Sequence, residues 1–158
     1  MQLSTTPLQD GFYFPAEFHP IEEVWLAWPE RRDNWRDYAL PAQQTFASIA
    51  NAIAEVTKVC VAVSAKQFDK ARTLLHSDIR LVEIPFNDAW MRDIGPTVLV
   101  NQGGERRGIN WQFNAWGGEL DGLYDSWEQD NAVAEKMAAV TDDYVYQVPL
   151  ILEGGSIH

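Results

Sequence analysis

Cysteine is nearly missing from this 158-residue chain: Cys60 is the single one, so neither a disulfide within the chain nor a cysteine-based zinc site can form. It lies in Lys58-Val59-Cys60-Val61-Ala62-Val63, where a lone thiol among β-branched neighbours reads as a small buried hydrophobe of a strand, not a nucleophile. Basic charge is scarce too. Lys and Arg number 12 against 23 Asp and Glu, a formal net charge of -11. That balance argues against nucleic acid or an anionic membrane as partner and favours cationic ligands, although most of the acids serve solubility. No apolar run approaches the length of a membrane span. The opening Met1-Gln2-Leu3-Ser4-Thr5-Thr6-Pro7 lacks the basic region and apolar stretch of a secretory signal, and a reducing cytoplasm is the expected compartment. The length suits one core and one domain.

Aromatic residues are abundant instead: seven Trp, seven Phe and five Tyr. Several belong in a core, but rings mixed with carboxylates also describe sugar sites and cation sites. Residues 1–20, with Pro7, Gly11, Pro15 and Pro20, read as an irregular lead-in. A strand is expected at Glu22–Trp28, stopped by Pro29, and a charged, aromatic loop at Glu30–Tyr38. From Pro41 the chain turns helical, with Phe46, Ile49, Ala50 and Ile53 as one apolar stripe. Lys58–Val63 has the nearly continuous apolar character of a strand covered on both faces.

Ser64 with Gln67 has capping-box spacing, and Phe68, Ala71 and Leu75 form an apolar stripe behind it, predicting a second helix ending near His76. Arg80–Ile84 is a strand stopped by Pro85. Thr97–Asn101 and Arg106–Phe113 read as a hairpin around Gln102-Gly103-Gly104-Glu105. Ser126 with Gln129 repeats the capping-box spacing, so a helix to about Val140 should bury Val133, Met137 and Val140. A strand at Tyr144–Val148, broken by Pro149, and a last apolar segment from Leu150 complete an α/β or α+β order.

Three stretches carry groups that plain connections do not need. In Asn87-Asp88-Ala89-Trp90-Met91-Arg92-Asp93-Ile94-Gly95-Pro96, Trp90 offers a flat apolar face. Asp88 and Asp93 there offer oxygens that can grip a planar cation through paired hydrogen bonds. Asn114-Ala115-Trp116-Gly117-Gly118 opens a loop with Glu119, Asp121, Tyr124 and Asp125. In Leu152-Glu153-Gly154-Gly155-Ser156-Ile157-His158 a carboxylate at the end of an apolar strand meets two glycines. Read plainly, Asp93 is a turn residue, Arg92 a surface charge, Trp90 core and the Glu119–Asp125 segment a solvated connection.

Together with Trp25-Leu26-Ala27-Trp28-Pro29 and Trp111-x-Phe113, these motifs in this order resemble the agmatine deiminases, grouped with the bacterial-type peptidylarginine deiminases in the guanidino-group-modifying superfamily. The resemblance runs from about Glu17 to His158. It implies a five-bladed α/β propeller (pentein), of which residues 1–158 would be the amino-terminal portion, about two blades with residues 1–20 as lead-in. It implies hydrolysis of agmatine to N-carbamoylputrescine and ammonia, a step toward putrescine, by a cysteine thiolate and a histidine, without metal or organic cofactor. Under it Asp93 binds the guanidinium, Trp90 walls the substrate, Glu153 orients the catalytic histidine, and Asp88 and Trp116 are further candidates for substrate contact.

The sequence departs from the family pattern in one consequential way. The Gly-His-x-Asp motif with the catalytic histidine and the late nucleophilic cysteine have no counterpart here; Cys60 does not match the nucleophile, nor His158 the general acid/base. The chain by itself is therefore expected to be inactive, and to associate with a copy of itself or with the missing half. Alternatives are a deiminase for peptidyl-arginine or another guanidine, an acidic, Trp-rich carbohydrate-binding module, or a non-catalytic interaction module.

Overall fold

A computed structural model describes residues 2–157; Met1 and His158 lie outside the described residues. The chain divides into two compact units, one of Pro20–Met91 and the other of the first 19 residues with Arg92–His158. In chain order the strands are β1 (Gln2–Leu3), β2 (Glu23–Ala27), β3 (Lys58–Val63), β4 (Arg80–Glu83), β5 (Thr97–Val100), β6 (Arg106–Gln112) and β7 (Tyr144–Ile151). The helices are α1 (Leu40–Ala54), α2 (Phe68–Leu74), the single turns α3 (Met91–Ile94) and α4 (Gly118–Asp121), and α5 (Val133–Thr141). Among the described residues no helix is long and apolar enough to cross a membrane.

The 20–91 unit is a three-stranded parallel sheet in the order β2-β3-β4, with α1 and α2 as its crossovers. Central β3 is buried from Val59 to Val63, as a strand covered on both faces requires. Pro41 sits in the first turn of α1, where its missing N–H is no loss. The buried face of α1 is Gln43, Ala47 and Ala50, and Ile49 is 45% exposed. The expected stripe is thus rotated: alanines let the helix lie close to the sheet, and Gln43 enters because its amide donates to the Pro29 carbonyl at 2.8 Å.

Neither capping box forms. Ser64 Oγ donates to Glu30 at 2.9 Å, and Gln67, not Ser64, precedes the first turn of α2. Ser126 Oγ donates to Glu128 at 2.6 Å, and α5 begins only after a 3₁₀ turn at Asp130–Ala132. In both cases a nearby carboxylate, the stronger acceptor, accepts the hydroxyl's hydrogen bond. Helix α5 buries Val133, Ala134, Met137 and Ala138, leaving Val140 half-buried.

The other unit is a mixed sheet in the order β1-β7-β6-β5. β5 and β6 form the expected antiparallel hairpin, and α5 carries the chain from β6 to its parallel neighbour β7. Pro149 does not end β7: the register shifts between Asn110 and Gln112 opposite it, and such an irregularity tolerates a residue with no N–H. The lead-in is less irregular than its prolines suggest. Leu3 pairs with Tyr146 through β1, Tyr13 bridges to Val100, and Phe12 packs in the core with Leu99, Ile109 and Tyr146. Asp10 fastens it, accepting from Thr5 at 2.6 Å, from Tyr146 at 2.8 Å and from Arg107, whose guanidinium lies over the Phe12 ring.

Candidate active site

The stretch beginning at Asn87 puts its two aspartates to different uses. Asp88 is 1% exposed. Its Oδ1 accepts from Trp35 Nε1 at 2.6 Å and from the Ala89 amide at 2.9 Å. Its Oδ2 accepts from Trp90 Nε1 at 2.7 Å and from the Asn34 amide. Four donors occupy the lone-pair sites a carboxylate offers. The Asp88 oxygens therefore serve the protein's own groups, and the indoles they hold are stacked, with ring centroids 5.8 Å apart and 28° between planes. Phe46 closes on Trp35 edge to face at 6.0 Å. All of this lies within the 20–91 unit.

Asp93, in α3, is half-buried and less committed. Its Oδ1 accepts from the Gly154 amide at 2.9 Å. Among the described residues Oδ2 has no hydrogen-bond partner. The preceding residue braces the same turn: Arg92 Nε donates to the Gly154 carbonyl at 3.0 Å and Nη2 to the Ile157 carbonyl at 2.9 Å. Its 3.3 Å ion pair with Glu17 is exposed and adds little. Gly154 is required by closeness: a Cβ there would stand 2.3 Å from the Arg92 carbonyl oxygen. Gly155 faces open space.

Asp93 is thereby joined to the residue next to Glu153. The Glu153 side chain is exposed and, among the described residues, unpartnered. Within one unit the structure thus joins Arg92 and Asp93, from the first of the three distant motifs, to Gly154 and Ile157 of the last.

Trp116 occupies an aromatic corner of its own, edge-on to Phe113 at 5.1 Å and to Tyr124 at 6.4 Å. The Tyr124 hydroxyl donates to the fully buried Asp130. Ala115 and Trp116 both have left-handed backbone, φ 53° and 64°, uncommon away from glycine. Gly117 follows because a Cβ would stand 2.3 Å from the Asp121 carbonyl carbon. Cys60 is fully buried in β3, and burial, with Glu23 nearby, pushes its thiol up to about 12; such a thiol is not a nucleophile at neutral pH.

Three participants escaped the sequence reading. Asn34 and Trp35 looked like part of an aperiodic loop, and Arg92 like a surface charge. Only the Trp/Asp composition of the loop hinted at the first two, since their partner is more than fifty residues away in sequence.

A cationic-ligand site on an α/β scaffold is one class of reading that these features allow, and comparison with known proteins narrows it. Residues 13–158 match the model of the Porphyromonas-type peptidyl-arginine deiminases, and the chain belongs to that family. It is 73% identical over its whole length to a Vibrio parahaemolyticus protein named "Putative agmatine deiminase", of which it covers 44%. Its fold superposes on the agmatine deiminase of Enterococcus faecalis with a TM-score of 0.96 at 48% identity, covering 99% of this chain and 43% of that one. With an agmatine deiminase of C. jejuni, a cysteine-to-serine variant solved with substrate bound, the TM-score is 0.77 at 27% identity, over 92% and 42% of the two chains. The chain spans less than half the length of these relatives.

Proposed function

We propose that this chain is the amino-terminal portion of an agmatine deiminase, supplying about two blades of a five-bladed α/β propeller. The complete enzyme adds water to agmatine and releases ammonia, leaving N-carbamoylputrescine. A thiolate attacks the guanidinium carbon, protonated nitrogen departs as ammonia, and water cleaves the carbon–sulfur bond. Thiol and histidine come from outside residues 1–158. This chain contributes the guanidinium's positioning.

The carrying observation is the half-used carboxylate of Asp93, with Oδ1 fixed by the Gly154 amide and Oδ2 without a partner among the described residues. A carboxylate held this way is orientated for a guanidinium N–H before the substrate arrives. In this reading Trp90 walls the substrate, and Glu153, exposed beside the braced turn, orients the incoming histidine. Asp88 acts through Trp90, and Trp116 is a further wall. The test is ureido-product formation from agmatine, arginine and peptidyl-arginine by the complete protein and by residues 1–158 alone. Turnover of agmatine by the first and none by the second is expected; turnover confined to peptidyl-arginine would shift the substrate, and none at all would overturn the reading.

Association follows from the same proposal. Among the described residues β1 pairs with β7 at Val145 and Tyr146, while Leu150 and Ile151 farther along β7 are 54% and 48% exposed. Such an edge invites either the rest of the polypeptide or a second copy. Sedimentation of residues 1–158 should show self-association; a monomer at all concentrations would contradict it. The expected setting is the cytoplasm.

A further inference from the structure

We propose that Asp88 is a positioning residue that locks Trp35 and Trp90 into one rigid aromatic wall and thereby sets the affinity for the guanidine; the second half rests on the deiminase reading. An indole on a loop has two side-chain torsions to fix, and stacking alone leaves it free to slide in its plane. The Trp90 N–H removes that freedom by donating to Asp88 Oδ2 at 2.7 Å, and the Trp35 N–H removes it from the other ring by donating to Oδ1 at 2.6 Å. One carboxylate therefore sets the register of both rings, and the 28° stack follows from it.

The supporting shell is built for the purpose. Asn34 donates to the same carboxylate as its neighbour Trp35, and Phe46 of α1 packs edge to face with Trp35. Between them the chain turns through three successive left-handed residues, Asp37, Tyr38 and Ala39, with φ of 52°, 56° and 65°. None is glycine, so each conformation is held against a local cost. Strain retained directly between Trp35 and the helix that wedges it is the signature of a segment whose shape matters.

Asparagine cannot replace Asp88 in this role. Its single oxygen serves one side, and its NH₂ would face donors on the other, leaving a half-buried indole N–H unmatched. Trp90 contacts ground state and transition state alike under this reading, so loosening it weakens binding and leaves the chemical step.

The experiment has two arms. In residues 1–158, the exciton couplet of the stacked indoles in circular dichroism should vanish in Trp35→Phe and Trp90→Phe. It should collapse in Asp88→Asn while the helix signal and cooperative unfolding persist. In the complete enzyme, Asp88→Asn should raise KM for agmatine about tenfold with kcat within about twofold. Trp35→Phe, which keeps the carboxylate and the ring, guards against a misfolded Asp88→Asn and should raise KM about threefold. A couplet that survives Asp88→Asn, or a KM unmoved in both variants, would overturn the proposal. A wild-type enzyme inactive on every guanidine would sink the deiminase reading and the affinity role with it, leaving the couplet to decide the lock.

Discussion

Asp88 and Asp93 share one short stretch of sequence yet do opposite work. Asp88 is closed, each oxygen taken by two of the protein's own donors. Asp93 is open, with one oxygen held and the other available among the described residues. The contrast separates a carboxylate that shapes a site from one that can meet a ligand: a buried anion needs internal donors to be tolerated at all, whereas a half-buried one can keep an oxygen in reserve. The carbohydrate reading gives way to the family match over residues 13–158.

The sharpest way to break the comparison is Asp93→Asn in the complete enzyme. It should lower kcat/KM for agmatine about a hundredfold or more through misplacement of the reacting carbon, with stability nearly unchanged; steady-state kinetics beside thermal unfolding checks both. Next comes the turn that holds Asp93. Gly154→Ala should cost about 3 kcal/mol, because the added methyl would meet the Arg92 backbone. Gly155→Ala should stay within about 0.5 kcal/mol of wild type. Denaturant titration of both variants sharpens the claim, and equal losses would remove the argument for close approach.

How far these residues could be read beforehand depended on the distance to their partners. Continuous apolar character marked β3, and Gly103-Gly104 marked the β5–β6 hairpin, because those signals are local. The capping boxes misled because Glu30 and Glu128 captured the serine hydroxyls, and one of those acceptors is remote in sequence. Pro149 reads as a strand breaker until the register irregularity opposite it is known. Motif resemblance singled out Asp93 and Glu153, but no spacing rule could reveal that Gly154 is where Asp93 attaches. The role of Asp88 was the least legible, since a carboxylate's availability depends on donors brought to it by folding.

Two smaller effects extend the comparison to the other buried and tethered groups. Cys60→Ala should cost about 1 kcal/mol and leave turnover intact. The wild-type thiol of residues 1–158 should resist alkylation at neutral pH until the chain unfolds, given a value pushed up to about 12. Rapid labelling of the folded chain would contradict this. Asp10 is held below the ordinary carboxylate range by hydrogen bonds from the Thr5 hydroxyl, then Tyr146, with Arg107 adding charge. A depressed carboxylate stabilises the fold above its unfolded-state value and loses that contribution as pH falls through the folded one. Thermal unfolding should accordingly fall off in acid less steeply in Asp10→Asn than in wild type.

The most direct measurement is a crystal structure of the complete protein, its nucleophile disabled, soaked with agmatine. A guanidinium nitrogen should lie about 3 Å from Asp93 Oδ2, with Asp88 still bonded to Asn34, Trp35 and Trp90. A guanidinium bound to Asp88, or one bound away from Asp93 altogether, would contradict the account.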